Sequence, residues 1–134
     1  MSKKNIFWCS FASPDLFISK LRFKNQLDKF DYYKEYKIFS YSDVPNEGKK
    51  FIEICKKEKD LRGFGYWIWK PFIVKKYLET LPTNAILHYC DIGSEFNNHN
   101  QTRREILDEL TDKCLLNDII AFNYSKPIKS DPEL

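Results

Sequence analysis

Glycine is scarce in this chain, with four in 134 residues, and histidine and methionine are scarcer, at two and one. No GxxxxGK[ST] loop exists, which excludes a P-loop nucleotide triphosphatase. The two histidines, His88 and His99, form no Cys–His or Ser–His–Asp pattern, so nothing supports a hydrolase triad. The four cysteines, Cys9, Cys55, Cys90 and Cys114, stand singly without a CxxC pair. Zinc spacing and a disulfide framework are therefore both missing. Cys9 and Cys90 lie in apolar runs and are expected as buried thiols in a reducing compartment. Charge of one sign is lacking too: 22 Lys and Arg against 19 Asp and Glu leave +3, too mild a balance for nucleic-acid binding. Lys56, Lys57 and Lys59 cluster, but Glu53, Glu58 and Asp60 interleave with them as on a solvated helix face. Long apolar runs do not occur. Ile6–Cys9 is too short for a signal-peptide core, and no stretch would span a membrane. The expected location is the cytoplasm, including the inner face of its membrane.

What the chain does have is aromatic side chains, 16% of all residues, with eleven Phe and eight Tyr. Each ring buries a large area, so most are expected in the core. The length suits one domain, over residues 1–124, followed by a loose polar tail over 125–134.

Asn5 to Phe11 reads as a buried strand. Ser13-Pro14-Asp15 opens a helix that carries Leu16, Phe23, Leu27 and Phe30 on one face. Tyr36 to Tyr41 is a second strand. Asp43 beyond it would either hydrogen-bond a ribose hydroxyl or cap the next helix, whose apolar positions are Phe51, Ile54 and Cys55. Gly63 and Gly65 break that helix, and Pro71 suits the first turn of a third, with Trp69, Ile73, Tyr77 and Leu81 at i+4 steps. Ala85 to Cys90, nearly continuous in apolar character, suits a central parallel strand. Thr102-Arg103-Arg104-Glu105 has the form of a capping box for a fourth helix with Ile106, Leu107 and Leu110 buried, and Asp118 to Asn123 a fourth strand. This alternation implies an α/β fold: a mostly parallel, Rossmann-like sheet with helices on both faces.

Two segments carry the chemistry. An Asp leaving a buried strand toward a Gly, as Asp91 and Gly93 do, would hold a divalent cation against a diphosphate or simply form a turn. Lys70, at a helix start, would meet phosphate oxygens or lie on the surface. Tyr66, Trp67 and Trp69 would stack on a base or sugar ring or plug the core. His88 and Asp91, three apart on a strand, are expected to point to opposite faces.

Taken together, Gly65-Tyr66-Trp67-Ile68-Trp69-Lys70-Pro71, an amphipathic helix and Ile86-Leu87-His88-Tyr89-Cys90-Asp91-Ile92-Gly93 resemble a family of bacterial nucleotide-sugar glycosyltransferases. That family carries a GYWxWKP segment and a strand ending in Asp-Ala-Gly. The resemblance covers roughly residues 3–124, with Ile92 in place of the usual Ala and a single Asp where many such enzymes have two. It implies the nucleotide-binding half of a glycosyltransferase-A fold and transfer of sugar to a surface polysaccharide or lipopolysaccharide. The partners would be a nucleoside-diphosphate sugar donor and a glycan or lipid-linked acceptor. Gly65, Tyr66, Trp67, Trp69, Lys70 and Gly93 would line the donor site, and Asp91 would bind Mn²⁺ or Mg²⁺. No residue stands out as the catalytic base. The alternatives are a truncated, non-catalytic remnant or subunit and a small Rossmann-like domain binding another nucleotide or a protein. A half-domain would also associate through exposed apolar surface. The Rossmann-like alternative expects Trp67 and Trp69 both buried; the glycosyltransferase reading expects at least one ring facing an open cleft beside Asp91.

Overall fold

A computed structural model describes residues 5–57, 67–96 and 101–120. Strand β1 (Ile6–Phe11) leads through a 3-10 turn at Pro14–Leu16 into helix α1 (Phe17–Lys29) and strand β2 (Glu35–Phe39). A second 3-10 turn at Tyr41–Asp43 precedes α2 (Asn46–Lys57), then α3 (Trp69–Leu78), β3 (Ile86–Tyr89) and α4 (Gln101–Asn117). The strands form one parallel sheet in the order β2-β1-β3. The described residues thus form an α/β unit with an all-parallel three-stranded sheet, consistent with a small Rossmann-like domain.

The alternation along β1 sorts the core into two layers. Ile6, Trp8 and Ala12 pack with Phe23 and Leu27 of α1, and Leu107 of α4 joins them. Phe7, Cys9 and Phe11 pack with Ile52 of α2 and with Trp69, Ile73 and Tyr77 of α3. Helices therefore cover both faces, as strand pleating with side chains on alternate sides requires. On α1 and α3 the expected faces are the buried ones: Phe23, Leu27 and Phe30 in one case, Trp69, Ile73 and Tyr77 in the other. All four cysteines are free; Cys9 is fully buried, with burial pushing its thiol up to about 12, whereas Cys90 is half-buried. Among the described residues no helix is long and apolar enough to cross a membrane.

Several expectations are corrected. Helix α2 buries Gly48 and Ile52, while Phe51 and Ile54 are about half exposed. Phe51 instead stacks on Phe72 of α3, with ring centroids 6.1 Å apart. On α4, Ile106 is exposed and Thr111 is buried, its hydroxyl bonded to the Leu107 carbonyl and within 3.1 Å of the Tyr32 hydroxyl. Because α4 begins at Gln101, Thr102 lies inside the helix rather than capping it. Strand β3 is an edge of the described sheet and β1 its centre. Asp118 to Ile120 is not strand, and Asp118 turns the chain with φ 63°. The remainder of the expected fourth strand, and the tail from residue 125, lie outside the described residues.

Candidate functional site

Strand order alone marks a place for a ligand. The connection from β1 to β2 runs over one face through α1, and that from β2 to β3 returns over the other through α2 and α3. The chain thus diverges at the carboxyl ends of β1 and β3, the crevice where open α/β sheets take their ligands. Asp91 leaves β3 at this point.

The strand's period of two decides what meets Asp91. Tyr89 and Asp91 lie on the same side, and the Tyr89 hydroxyl donates to Asp91 Oδ1 at 2.7 Å. Lys70, in the first turn of α3, reaches the same carboxylate, with Nζ 2.9 Å from Oδ1 and 3.2 Å from Oδ2. Among the described residues this carboxylate is the only hydrogen-bond partner of the ammonium. Nζ also lies 5.3 Å from the centre of the Tyr89 ring and 6.0 Å from each of the Trp67 and Trp69 rings, within cation–π range. Partial burial pulls the Asp91 carboxyl upward, but the Tyr89 hydroxyl and Lys70 ammonium outweigh it and hold the group below its ordinary value. Burial and the neighbouring carboxylate raise the Tyr89 phenol, so it remains a donor. His88 points the other way, to the α1 face, where Nδ1 lies 2.6 Å from the Tyr33 hydroxyl.

The loop after Asp91 is fastened from the opposite layer. Arg22 of α1 donates to the Ile92 carbonyl at 3.1 Å and the Ser94 carbonyl at 2.9 Å. Ile92 is buried, and Phe96 packs among Trp8, Phe23 and Phe30. Ser94 N–H closes a turn on the Asp91 carbonyl at 2.9 Å. At Gly93 an added Cβ would meet nothing within 4 Å, so packing does not demand glycine there and the space above this turn is open.

The two tryptophans divide. Trp69 is 4% exposed and stacks on Phe11 at 3.9 Å between centroids, so it belongs to the core. Trp67 is 39% exposed and has φ 54°. A bulky side chain in the left-handed region costs roughly 1–2 kcal/mol, and such strain gathers at ligand sites. Gly65 and Tyr66 lie outside the described residues. Asp43 acts as a cap: one carboxylate oxygen accepts from the Ser40 N–H at 2.8 Å and the Ser40 hydroxyl at 2.9 Å. It closes the 3-10 turn after β2 rather than α2 itself.

Comparison with known protein families, with curated proteins and with solved structures finds no match to this chain. The site therefore has to be read from its own chemistry. It unites Lys70, Asp91 and an exposed Trp67 ring, which the sequence singled out, with Tyr89 and Arg22, which it did not. For Tyr89 a signal was present in the i, i+2 spacing to Asp91 on an extended segment. For Arg22 none was, because its partners are main-chain carbonyls seventy and seventy-two residues away.

Proposed function

We propose that this chain is a glycosyltransferase-like domain that binds a nucleoside-diphosphate sugar at the carboxyl ends of β1 and β3. The sugar would pass to a glycan or lipid-linked acceptor of the cell surface. The observation that carries this reading is the Lys70–Asp91 pair lying beside a partly exposed, strained Trp67. Such a constellation offers a cation for the diphosphate, a carboxylate for hydroxyl groups and an aromatic face for a ring. A small domain whose Trp67 and Trp69 merely filled the core would bury both, and of the two only Trp69 is buried.

In group transfer from a nucleoside diphosphate, charge develops on the departing diphosphate, and a fixed cation nearby stabilises it. Lys70 would take that role; its contacts with Asp91 and Tyr89, which orient the head group, support the assignment. The Trp67 ring offers a stacking surface worth about 1–3 kcal/mol for a base. The test is calorimetric titration of the purified chain with a panel of nucleoside-diphosphate sugars, repeated on Trp67→Ala. Saturable binding of at least one donor, weakened tenfold or more by loss of the ring, is the expected result. A folded chain that binds none of the panel would refute the reading.

A further inference from the structure

The resemblance to nucleotide-sugar enzymes implies a divalent cation at Asp91, and the residues present do not fit one. Mg²⁺ demands six ligands in near-ideal octahedral geometry, supplied by carboxylates, waters and phosphate oxygens. Here both oxygens of the Asp91 carboxylate already accept hydrogen bonds: Oδ1 from Tyr89 and Lys70, Oδ2 from Lys70. Among the described residues no group of three or more His, Cys, Asp or Glu could hold a metal. A fixed ammonium within 2.9 Å of the carboxylate also repels any second cation brought there. A metal on this carboxylate would compete with Lys70, whose ammonium also lies within cation–π range of the Trp67, Trp69 and Tyr89 rings.

We infer that Lys70 itself is the cation of this site, and that the pair receives the diphosphate of its ligand without a divalent metal. This deepens the donor-binding reading and rests on it. An ammonium carries three donors, and one carboxylate cannot use them all. The side chain of Lys70 is about one-third exposed, so it is reachable from the solvent side. Asp91 and Tyr89 are then positioning residues that aim the ammonium, while Arg22 keeps the loop that carries Asp91 in register. The aromatic surround excludes water from one side of the charge, which strengthens its attraction for phosphate oxygens.

The experiment titrates inorganic pyrophosphate and a set of nucleoside diphosphates into the full chain in metal-stripped buffer, then with Mg²⁺ or Mn²⁺ added. The expected result is binding without metal and no tighter binding when either ion is added, compared at equal free anion because both ions complex diphosphates. Lys70→Met, which keeps the length of the side chain, is expected to weaken pyrophosphate binding at least tenfold, the loss of one charge-assisted hydrogen bond, and Lys70→Arg to restore most of it. Circular dichroism of each variant checks the fold. Binding that appears only with metal, and whose metal-dependent part disappears in Asp91→Asn, would overturn the inference while leaving the donor-binding reading intact. Pyrophosphate affinity unaffected by Lys70→Met, or no anion binding under either condition, would overturn it as well. Metal-free, Lys70-dependent anion binding combined with no affinity for any nucleotide sugar would uphold the anion site and refute the choice of donor.

Discussion

If the Lys70–Asp91 pair is a binding device rather than a clasp between α3 and β3, it should contribute little to folding. A double-mutant cycle of Lys70→Met and Asp91→Asn separates the two roles. The side chains are 32% and 56% exposed, so water and salt screen the 2.9 Å contact. Pairs in that environment couple by about 0.2–1 kcal/mol. Asp91→Asn leaves an amide oxygen for the Tyr89 hydroxyl to bond, and Lys70→Met leaves a thioether against the Trp67, Trp69 and Tyr89 rings. Each single variant should therefore stay within about 1 kcal/mol of the parent, and the coupling below about 1 kcal/mol. Urea unfolding at neutral pH measures this, followed by far-UV circular dichroism because Lys70 lies close enough to two tryptophans to alter their emission. A coupling above about 2 kcal/mol, beyond the range of exposed pairs, would make the pair a structural brace and remove the main support for a site here.

Three further outcomes follow from the geometry. Trp67→Gly relieves φ 54° but gives up the buried part of the ring, so it should cost clearly less than Trp69→Ala, which should cost about 3–5 kcal/mol from the core; denaturant midpoints compare them. Gly48→Ala places a Cβ 2.8 Å from Val44 Cγ1 and 2.9 Å from Phe72 Cδ2, so overpacking of about 1–3 kcal/mol should exceed the helix-propensity gain of about 1 kcal/mol and lower the melting temperature; a higher melting temperature would contradict it. Burial holds the His88 imidazole below its ordinary value of 6.5, so the unfolded chain takes up the proton first: stability should be level above about pH 7 and fall as pH drops below 6.5, by at most about 1.4 kcal/mol per pH unit. Melts of the parent and His88→Gln from pH 7 down to about 5, above the carboxylate range, would show that slope only in the parent, and equal slopes would refute it.

Much of the scaffold was legible because helical spacing and strand alternation report burial directly. Trp69, Ile73 and Tyr77 keep an i+4 step and all face the sheet. Helix α2 misled because Phe51 and Ile54 also keep helical spacing, yet the face that turns inward is set by Gly48, whose lack of a side chain admits Val44 and Phe72. Tertiary contact, not periodicity, chose between the two faces. Strand β3, an edge among the described residues, misled in another way: Ile86 and Leu87 are half-buried by helices above and below, which reads the same along the sequence whether or not a neighbour lies at the outer edge. Beyond that edge a groove of about 600 Å³ opens, lined by Val74, Leu78, Leu107, Leu110 and Ile119 among others. Apolar character thus reports coverage of a strand's faces and says nothing of its edges. Within the candidate site, the residue types were legible but their pairing was not. Lys70 and Asp91 read as two independent ligands for phosphate and metal, twenty-one residues apart, and only the fold joins them into one unit.

That joining explains why the site needs both layers of the domain. Lys70 comes from the helix over the Phe7–Cys9–Phe11 face of the sheet, whereas Arg22, which fixes the carbonyls just past Asp91, comes from the helix over the Trp8 face. The two meet only where the crossover changes sides, at the ends of β1 and β3. A ligand bound there would touch residues whose relative position is set by the central strand, and the aromatic filling of β1 holds that position: Trp8 stacks on Phe23 beneath α1, and Phe11 stacks on Trp69 beneath α3. The aromatic excess of the sequence is therefore part of the functional argument. Close packing transmits displacement, so shortening Phe11 would shift Trp69 and, one residue on, Lys70. The ammonium would leave its carboxylate before the fold was lost.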